Sequence, residues 1–241
     1  MGNPVVYFEI GGADDDTLRR FYSELFGWGL ESLPPGGYTV VDTRAGAGIN
    51  GGIGRSSDGT PWSTFYVEAE DLQAVLDKAE SLGGKTVVPV TVIPNVVIWA
   101  MFSDPDGLLV GLYKSGDGMT NTPSTGGNGA PIDWFEVLGT DGNRTWAFYS
   151  ELFGWKSNGR GPYWLVDTGA GRGINGGVGS GGDSTWATVY AHVPDVDVTI
   201  NRSQGLGGMR EYGPNQVDDH MGTAAILDPA GNVVGIYEHK H

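Results

Sequence analysis

The stretch FYSELFGW stands twice in this chain, at Phe21–Trp28 and again at Phe148–Trp155. The repetition extends outward from it on both sides. Phe8-Glu9-Ile10 returns as Phe135-Glu136-Val137, and Val41-Asp42-Thr43 as Val166-Asp167-Thr168. Gly48-Ile49-Asn50-Gly51-Gly52 returns as Gly173-Ile174-Asn175-Gly176-Gly177. Leu82-Gly83-Gly84 returns as Leu206-Gly207-Gly208, and Asp104-Pro105 with Gly107 as Asp228-Pro229 with Gly231. The offset is nearly constant, so one domain is written twice. Each copy is therefore a control for the other.

The bulk properties agree with two globular domains. The chain has 241 residues, of which 39% are hydrophobic and eight are Trp. That is enough for two cores and too apolar for disorder. The net charge of −15 disfavours nucleic acid and anionic membrane surfaces as partners. No cysteine is present, which removes disulfides, thiolate metal sites and Cys nucleophiles together. No signal-like leader and no long apolar run is visible, so a cytoplasmic protein is expected.

Residues 1–114 are expected to form the first domain and residues 131–241 the second. The polar run Ser115–Ala130 between them reads as a flexible linker. Each domain shows one order of elements. Val5–Ile10 reads as a strand, and Asp14-Asp15-Asp16 supplies a cap and negative charge to the helix that follows. Leu18, Phe21, Tyr22, Leu25 and Phe26 make its apolar stripe, and Gly27 its stop. Strands are expected near Tyr38–Thr43 and Ile49–Gly54. The pattern then restarts with a strand at Thr64–Val67, a helix at Asp71–Leu82, and strands near Val97–Ser103 and Leu108–Tyr113 around an Asp-Pro-Asp-Gly turn. The second copy matches, with helices at Asn143–Phe153 and Asp195–Leu206 and a strand at Thr188–His192. The class is α+β, each domain a pair of βαβββ modules.

FYSELFGW on the first helix and DP-x-G before the last strand, both duplicated, resemble the vicinal oxygen chelate superfamily of glyoxalases, bleomycin-resistance proteins and dioxygenases. The resemblance covers Val5–Tyr113 and Ile132–Tyr237. The tandem form is most similar to two-domain glyoxalase-like proteins loosely called hydroxylases in natural-product-producing bacteria. It implies two curved mixed sheets, each around a cleft. It implies a metal at three positions where metal enzymes of the family carry His, Gln or Glu. Carried over, those positions are Tyr7 and Trp134 on the first strand, Thr64 and Thr188 on the fifth, and Gly111 and Gly235 on the eighth. None is a customary ligand, so a metal-free, cofactor-free protein is expected.

The residues that replace metal ligands suggest other chemistry. Glu9 shares a strand face with Tyr7, and Glu136 with Trp134. A carboxylate among aromatics can act as a general acid or base, or can be a structural group bonded to its neighbours. Gly111 and Gly235 either open room for a larger ligand or allow close strand packing. Tyr66, Tyr113, Tyr190 and Tyr237, with Trp62, Trp186, Tyr38, Tyr163, Trp99 and Met101, suggest an aromatic wall for a flat or apolar small molecule. Trp28 and Trp155 read as core.

The copies also differ. Glu68 stands where the second copy has His192. The apolar segment Val87–Trp99 stands where the second has polar Glu211–Thr223, containing Asp218-Asp219-His220. Asp219 beside His220 in a loop at a cleft edge is either an acid–base pair or a solvated turn. His239 and His241 close the chain as an exposed tail.

Three readings follow. The first is a metal-independent lyase, isomerase or cyclase using Glu9, Glu136, His192, His220 or Asp219. The second is a drug-sequestering protein like the bleomycin-resistance proteins. The third is a metal-dependent glyoxalase or dioxygenase with relocated ligands. A monomer or a homodimer of the tandem is expected.

Overall fold

In the computed structural model, residues 2–34, 36–94, 96–114, 122–158 and 163–240 are described. Both FYSELFGW stretches lie on helices, α1 (Asp15–Phe26) and α3 (Gly142–Phe153). Asp14 caps α1 by accepting from the Thr17 amide at 3.0 Å, and Asp141 caps α3 through the Asn143 and Arg144 amides. Gly27 and Gly154 end them at φ of 73° and 70°, a left-handed conformation that glycine adopts without a Cβ clash.

The first copy supplies β1 (Val5–Gly12), β2 (Gly29–Leu33), β3 (Tyr38–Asp42), β4 (Asn50–Arg55), β5 (Trp62–Glu68), α2 (Leu72–Ser81), β6 (Lys85–Ile93), β7 (Val97–Ser103) and β8 (Leu109–Lys114). The second supplies β9 (Ile132–Gly139), β10 (Lys156–Ser157), β11 (Tyr163–Asp167), β12 (Asn175–Ser180), β13 (Trp186–His192), α4 (Val196–Gly205), β14 (Met209–Asp218), β15 (Met221–Leu227) and β16 (Val233–His239). They form two eight-stranded mixed sheets, ordered β2-β3-β4-β1-β5-β8-β7-β6 and β10-β11-β12-β9-β13-β16-β15-β14. Strand β5 runs parallel to β8, and β13 parallel to β16. The expected α+β pair of glyoxalase-like sheets is what forms.

Two compact units cut across the copies. One comprises Met1–Tyr7, Thr64–Asn121 and Trp134–Ala187; the other comprises Phe8–Ser63, Thr122–Asp133 and Thr188–His241. Each unit joins half of one copy to the complementary half of the other, and the repeated motifs recognise each other inside it. In the second unit the Tyr22 hydroxyl donates to Asp228 Oδ2 at 2.9 Å, and Trp28 Nε1 to the Ala130 carbonyl at 2.8 Å. In the first, Tyr149 donates to Asp104 Oδ2 at 3.1 Å, and Trp155 Nε1 to the Asn3 carbonyl at 2.8 Å. The other oxygen of each aspartate braces its own turn. Asp228 Oδ1 accepts the Ala230 and Asn232 amides, and Asp104 Oδ1 the Asp106 and Leu108 amides.

The Leu-Gly-Gly repeat has the same explanation. A Cβ on Gly208 would lie 3.0 Å from the Phe21 ring, and one on Gly84 3.3 Å from Phe148. Phe21, Tyr22, Phe148 and Tyr149 are all buried, and Trp28 and Trp155 stack on Tyr22 and Tyr149 as core residues. The duplicated words are thus the two sides of one packing arrangement, made twice.

Residues 115–121 of the expected linker lie outside the described residues, as does His241. The rest of that run is held: Asp42 Oδ1 accepts the Ser124 amide at 3.0 Å, and the Ala130 amide donates to the Phe26 carbonyl at 2.9 Å.

Candidate functional site

The three positions at which the resemblance implies a metal hold other groups in both copies. Tyr7 stands edge-on to Tyr66, ring centroids 6.0 Å apart, and Trp134 is half-buried. Thr64 and Thr188 are fully buried, and their hydroxyls donate to the Leu109 and Val233 carbonyls at 2.7 and 2.6 Å. They pin the fifth strand of each copy to the eighth. Gly111 and Gly235 do not open room for a ligand. Each is paired across the strands with a tyrosine, Tyr66 and Tyr190, whose ring lies on the glycine. A Cβ at either glycine would sit 2.3 Å from that ring. Close packing is therefore why these residues are glycine. Among the described residues no three of His, Asp and Glu converge as metal ligands would. An aromatic, a buried threonine and a glycine under a ring do not make a divalent-metal donor set.

The aromatic residues fall into registered rows. In the first unit Tyr66, Gly111 and Met101 face one another across β5, β8 and β7, with Val88 of β6 opposite Met101. The next row is Glu68, Tyr113 and Trp99. Val6, Tyr66 and Tyr113 form a buried apolar cluster, with Tyr7, Val97 and Trp99 against it. Glu68 pairs with Arg172 at 2.6 Å, and that carboxylate holds the guanidinium above its usual range.

In the second unit the corresponding rows are Tyr190, Gly235, Ala225 and Tyr212, then His192, Tyr237 and Thr223. Small Ala225 and Thr223 replace Met101 and Trp99, and large Tyr212 replaces Val88. The exchange sets the Tyr212 hydroxyl 2.9 Å from that of Tyr190 and 3.4 Å from Thr223 Oγ1. An apolar row in one copy is a chain of hydroxyls in the other.

The same contrast recurs at the strand ends. Asp133 takes the place of Val6, and the Tyr237 hydroxyl donates to Asp133 Oδ1 at 2.9 Å. His192 stacks on Tyr237 with centroids 4.7 Å apart and planes 10° apart, and His239 stands edge-on to both rings. Burial raises the Asp133 carboxyl above its ordinary value, while Tyr237, His192 and His239 pull it down. Burial, with Asp133 beside it, pushes the Tyr237 phenol up, so it stays protonated at neutral pH.

Glu136 is buried, and both its oxygens accept hydrogen bonds. Oε1 takes the Tyr163 hydroxyl at 2.9 Å, and Oε2 takes Trp186 Nε1 at 2.8 Å. Glu9, half-buried, takes Trp62 Nε1 at 3.3 Å; the Trp62 ring lies over Gly11 and Gly54, and Tyr38 pairs with Gly54. Asp219 and His220 are exposed. The expected loop is a hairpin: β14 runs to Asp218, whose carboxylate caps the His220 amide, and Asp218 pairs with Met221. The Asp-His pair is the tip of that turn.

Sequence reasoning missed Asp133, Tyr212, Arg172 and the place of His239. Aligning the copies residue by residue would have shown the first two, because Asp133 and Tyr212 replace valines on strands.

Two registered sheets built from duplicated modules define a tandem glyoxalase-like protein. Residues 5–112, the first copy, match the Glyoxalase/Bleomycin resistance protein/Dioxygenase superfamily. The match covers the first copy, and the second repeats its motifs. Over its full length the chain is similar to the anthracycline biosynthesis protein DnrV of Streptomyces peucetius, with 28% identity over 96% of this chain and 92% of the relative. Its similarity to the anthracycline biosynthesis protein DauV of Streptomyces sp. (strain C5) is 27% over 96% and 92%. In fold it resembles the Mn(II)-bound glyoxalase of Novosphingobium aromaticivorans, with a TM-score of 0.69 at 15% identity, covering 99% of this chain and 84% of that one. No helix among the described residues is long and apolar enough to cross a membrane.

Proposed function

We propose that this protein acts on a flat, hydroxylated aromatic metabolite of natural-product metabolism, and that it does so by proton transfer without a bound metal. One observation carries this reading. In both copies the family's metal positions hold an aromatic residue, a threonine bonded to the neighbouring strand and a glycine covered by a tyrosine ring. Aromatic faces remain for stacking. The two relatives named for anthracycline biosynthesis support an aromatic natural product as the class of ligand.

The second reading is a binder that sequesters such a molecule. The engagement of Glu136 by Tyr163 and Trp186 favours it, because a carboxylate held on both oxygens is a poor proton carrier.

Native mass spectrometry of tag-free, EDTA-treated protein against a panel of polycyclic aromatic polyketides separates the readings. Capture of a panel member by metal-free protein, with turnover, is the expected result. Capture that requires restored divalent metal overturns metal independence. Capture with no chemical change to the ligand favours the binder.

A further inference from the structure

The second copy contains a group of polar side chains that the first copy lacks. His192 takes the place of Glu68, Asp133 that of Val6, Tyr212 that of Val88 and Thr223 that of Trp99. All four polar residues lie in the second unit. Drift on a solvated surface would not bring them together in contact with Tyr190 and Tyr237. They form two short chains, Asp133–Tyr237–His192 and Tyr190–Tyr212–Thr223.

We infer that His192 is the proton acceptor for a phenolic hydroxyl of the ligand, with Tyr237 and Asp133 as positioning residues, and that this chemistry belongs to the second copy alone. The inference rests on the aromatic-ligand reading above and assigns its chemistry to one place.

The geometry supports each role. Tyr237 donates its only hydroxyl proton to Asp133, which fixes its ring and enriches it in electron density. His192 lies flat on that ring. No described residue hydrogen-bonds the imidazole nitrogens of half-buried His192, which leaves them for a ligand. The ligand O–H bond breaks and an N–H bond forms on His192, giving a phenolate beside an imidazolium.

The titratable groups around His192 are Tyr237 and His239 on β16 and Asp133 on β9. The adjacent Glu238 accepts the Val196 amide and pairs with Lys240. Val6, Glu68, Val88 and Trp99 offer no equivalent base in the first copy, where Glu68 is bound to Arg172.

The test uses full-length protein and 1,4-dihydroxyanthraquinone, a flat phenolic dye whose visible spectrum reports ionisation. On the wild-type protein the bound dye should ionise at least about one pH unit below the free dye, a tenfold change in ionisation constant. His192→Gln and Asp133→Asn should each return the midpoint toward the free value, weakening Kd for the ionised dye by the matching factor while Kd for the neutral dye changes less, a split that a merely structural role would not produce. Tyr237→Phe, which removes one hydroxyl, gives the same reading should His192→Gln fail to fold. Binding with an unshifted midpoint, or a shift that survives His192→Gln, overturns this inference and leaves the aromatic-ligand reading standing. Failure of the wild-type protein to bind the dye overturns both.

Discussion

Gly111 and Gly235 show how much one missing Cβ can decide. Each lies beneath a tyrosine ring at 2.3 Å from where a methyl would stand. Gly111→Ala and Gly235→Ala should each destabilise by about 1–3 kcal/mol, the usual cost of forcing a ring off its rotamer in a packed site. Pairing Gly111→Ala with Tyr66→Ala should relieve the clash, and urea denaturation of the single and double variants measures it. Glu136→Gln tests another residue. Glutamine has one acceptor oxygen where the carboxylate used two, so Tyr163 or Trp186 loses its partner. A loss of about 1–2 kcal/mol is expected, with turnover unchanged. From sequence alone these side chains were identifiable as aromatics and carboxylates on one strand face. Their partners were not, because a strand's periodicity gives the face of a residue and not what covers it.

At the scale of elements, α1 and α3 were the most legible parts of the chain. A cap, an apolar stripe and a glycine stop all agree there. The edge strands were less so. β2, β6 and β14 were not separated from loops, since β14 is largely polar and exposed at a sheet edge and carries no alternating pattern. What no pattern could give was the partner of each helix, which comes from the other copy. Tyr22→Phe removes a hydrogen bond to a buried carboxylate, and Tyr149→Phe removes its counterpart. Each should cost about 1.5–3 kcal/mol, similar in the two variants, in thermal or denaturant unfolding. A tenfold difference between them in unfolding constant would show that the motifs do not serve equal roles.

For the whole molecule, two buried aspartates and one half-buried one set a pH signature. Burial raises the carboxyls of Asp104, Asp133 and Asp228 in the folded chain above the ordinary carboxylate value. A raised folded value means the native state holds more protons than the unfolded state between the two values, so stability falls as pH rises through that window. Asp58 has the opposite sign: hydrogen bonds from Thr60 and Ser56 lower its value, and that contribution is lost at still lower pH. Tm should therefore rise as pH is lowered from neutral toward the ordinary carboxylate range, by on the order of a few degrees, and decline at still lower pH. Scanning calorimetry across that range measures it. Asp228→Asn should shrink the rise, whereas added salt removes only the share due to the −15 net charge.

The reciprocal bonds Tyr22–Asp228 and Tyr149–Asp104 also bear on descent. Each copy supplies the tyrosine that the other's aspartate needs, so the smallest heritable form of this fold in one chain is the pair. An excised copy would bury an aspartate and a tyrosine without partners unless it met a second copy of itself. In such a symmetric assembly every substitution is inherited twice. Joining the copies lifts that constraint, and one half carries Asp133 where the other carries Val6. Specialisation of a single half is a change that only the fused gene can record.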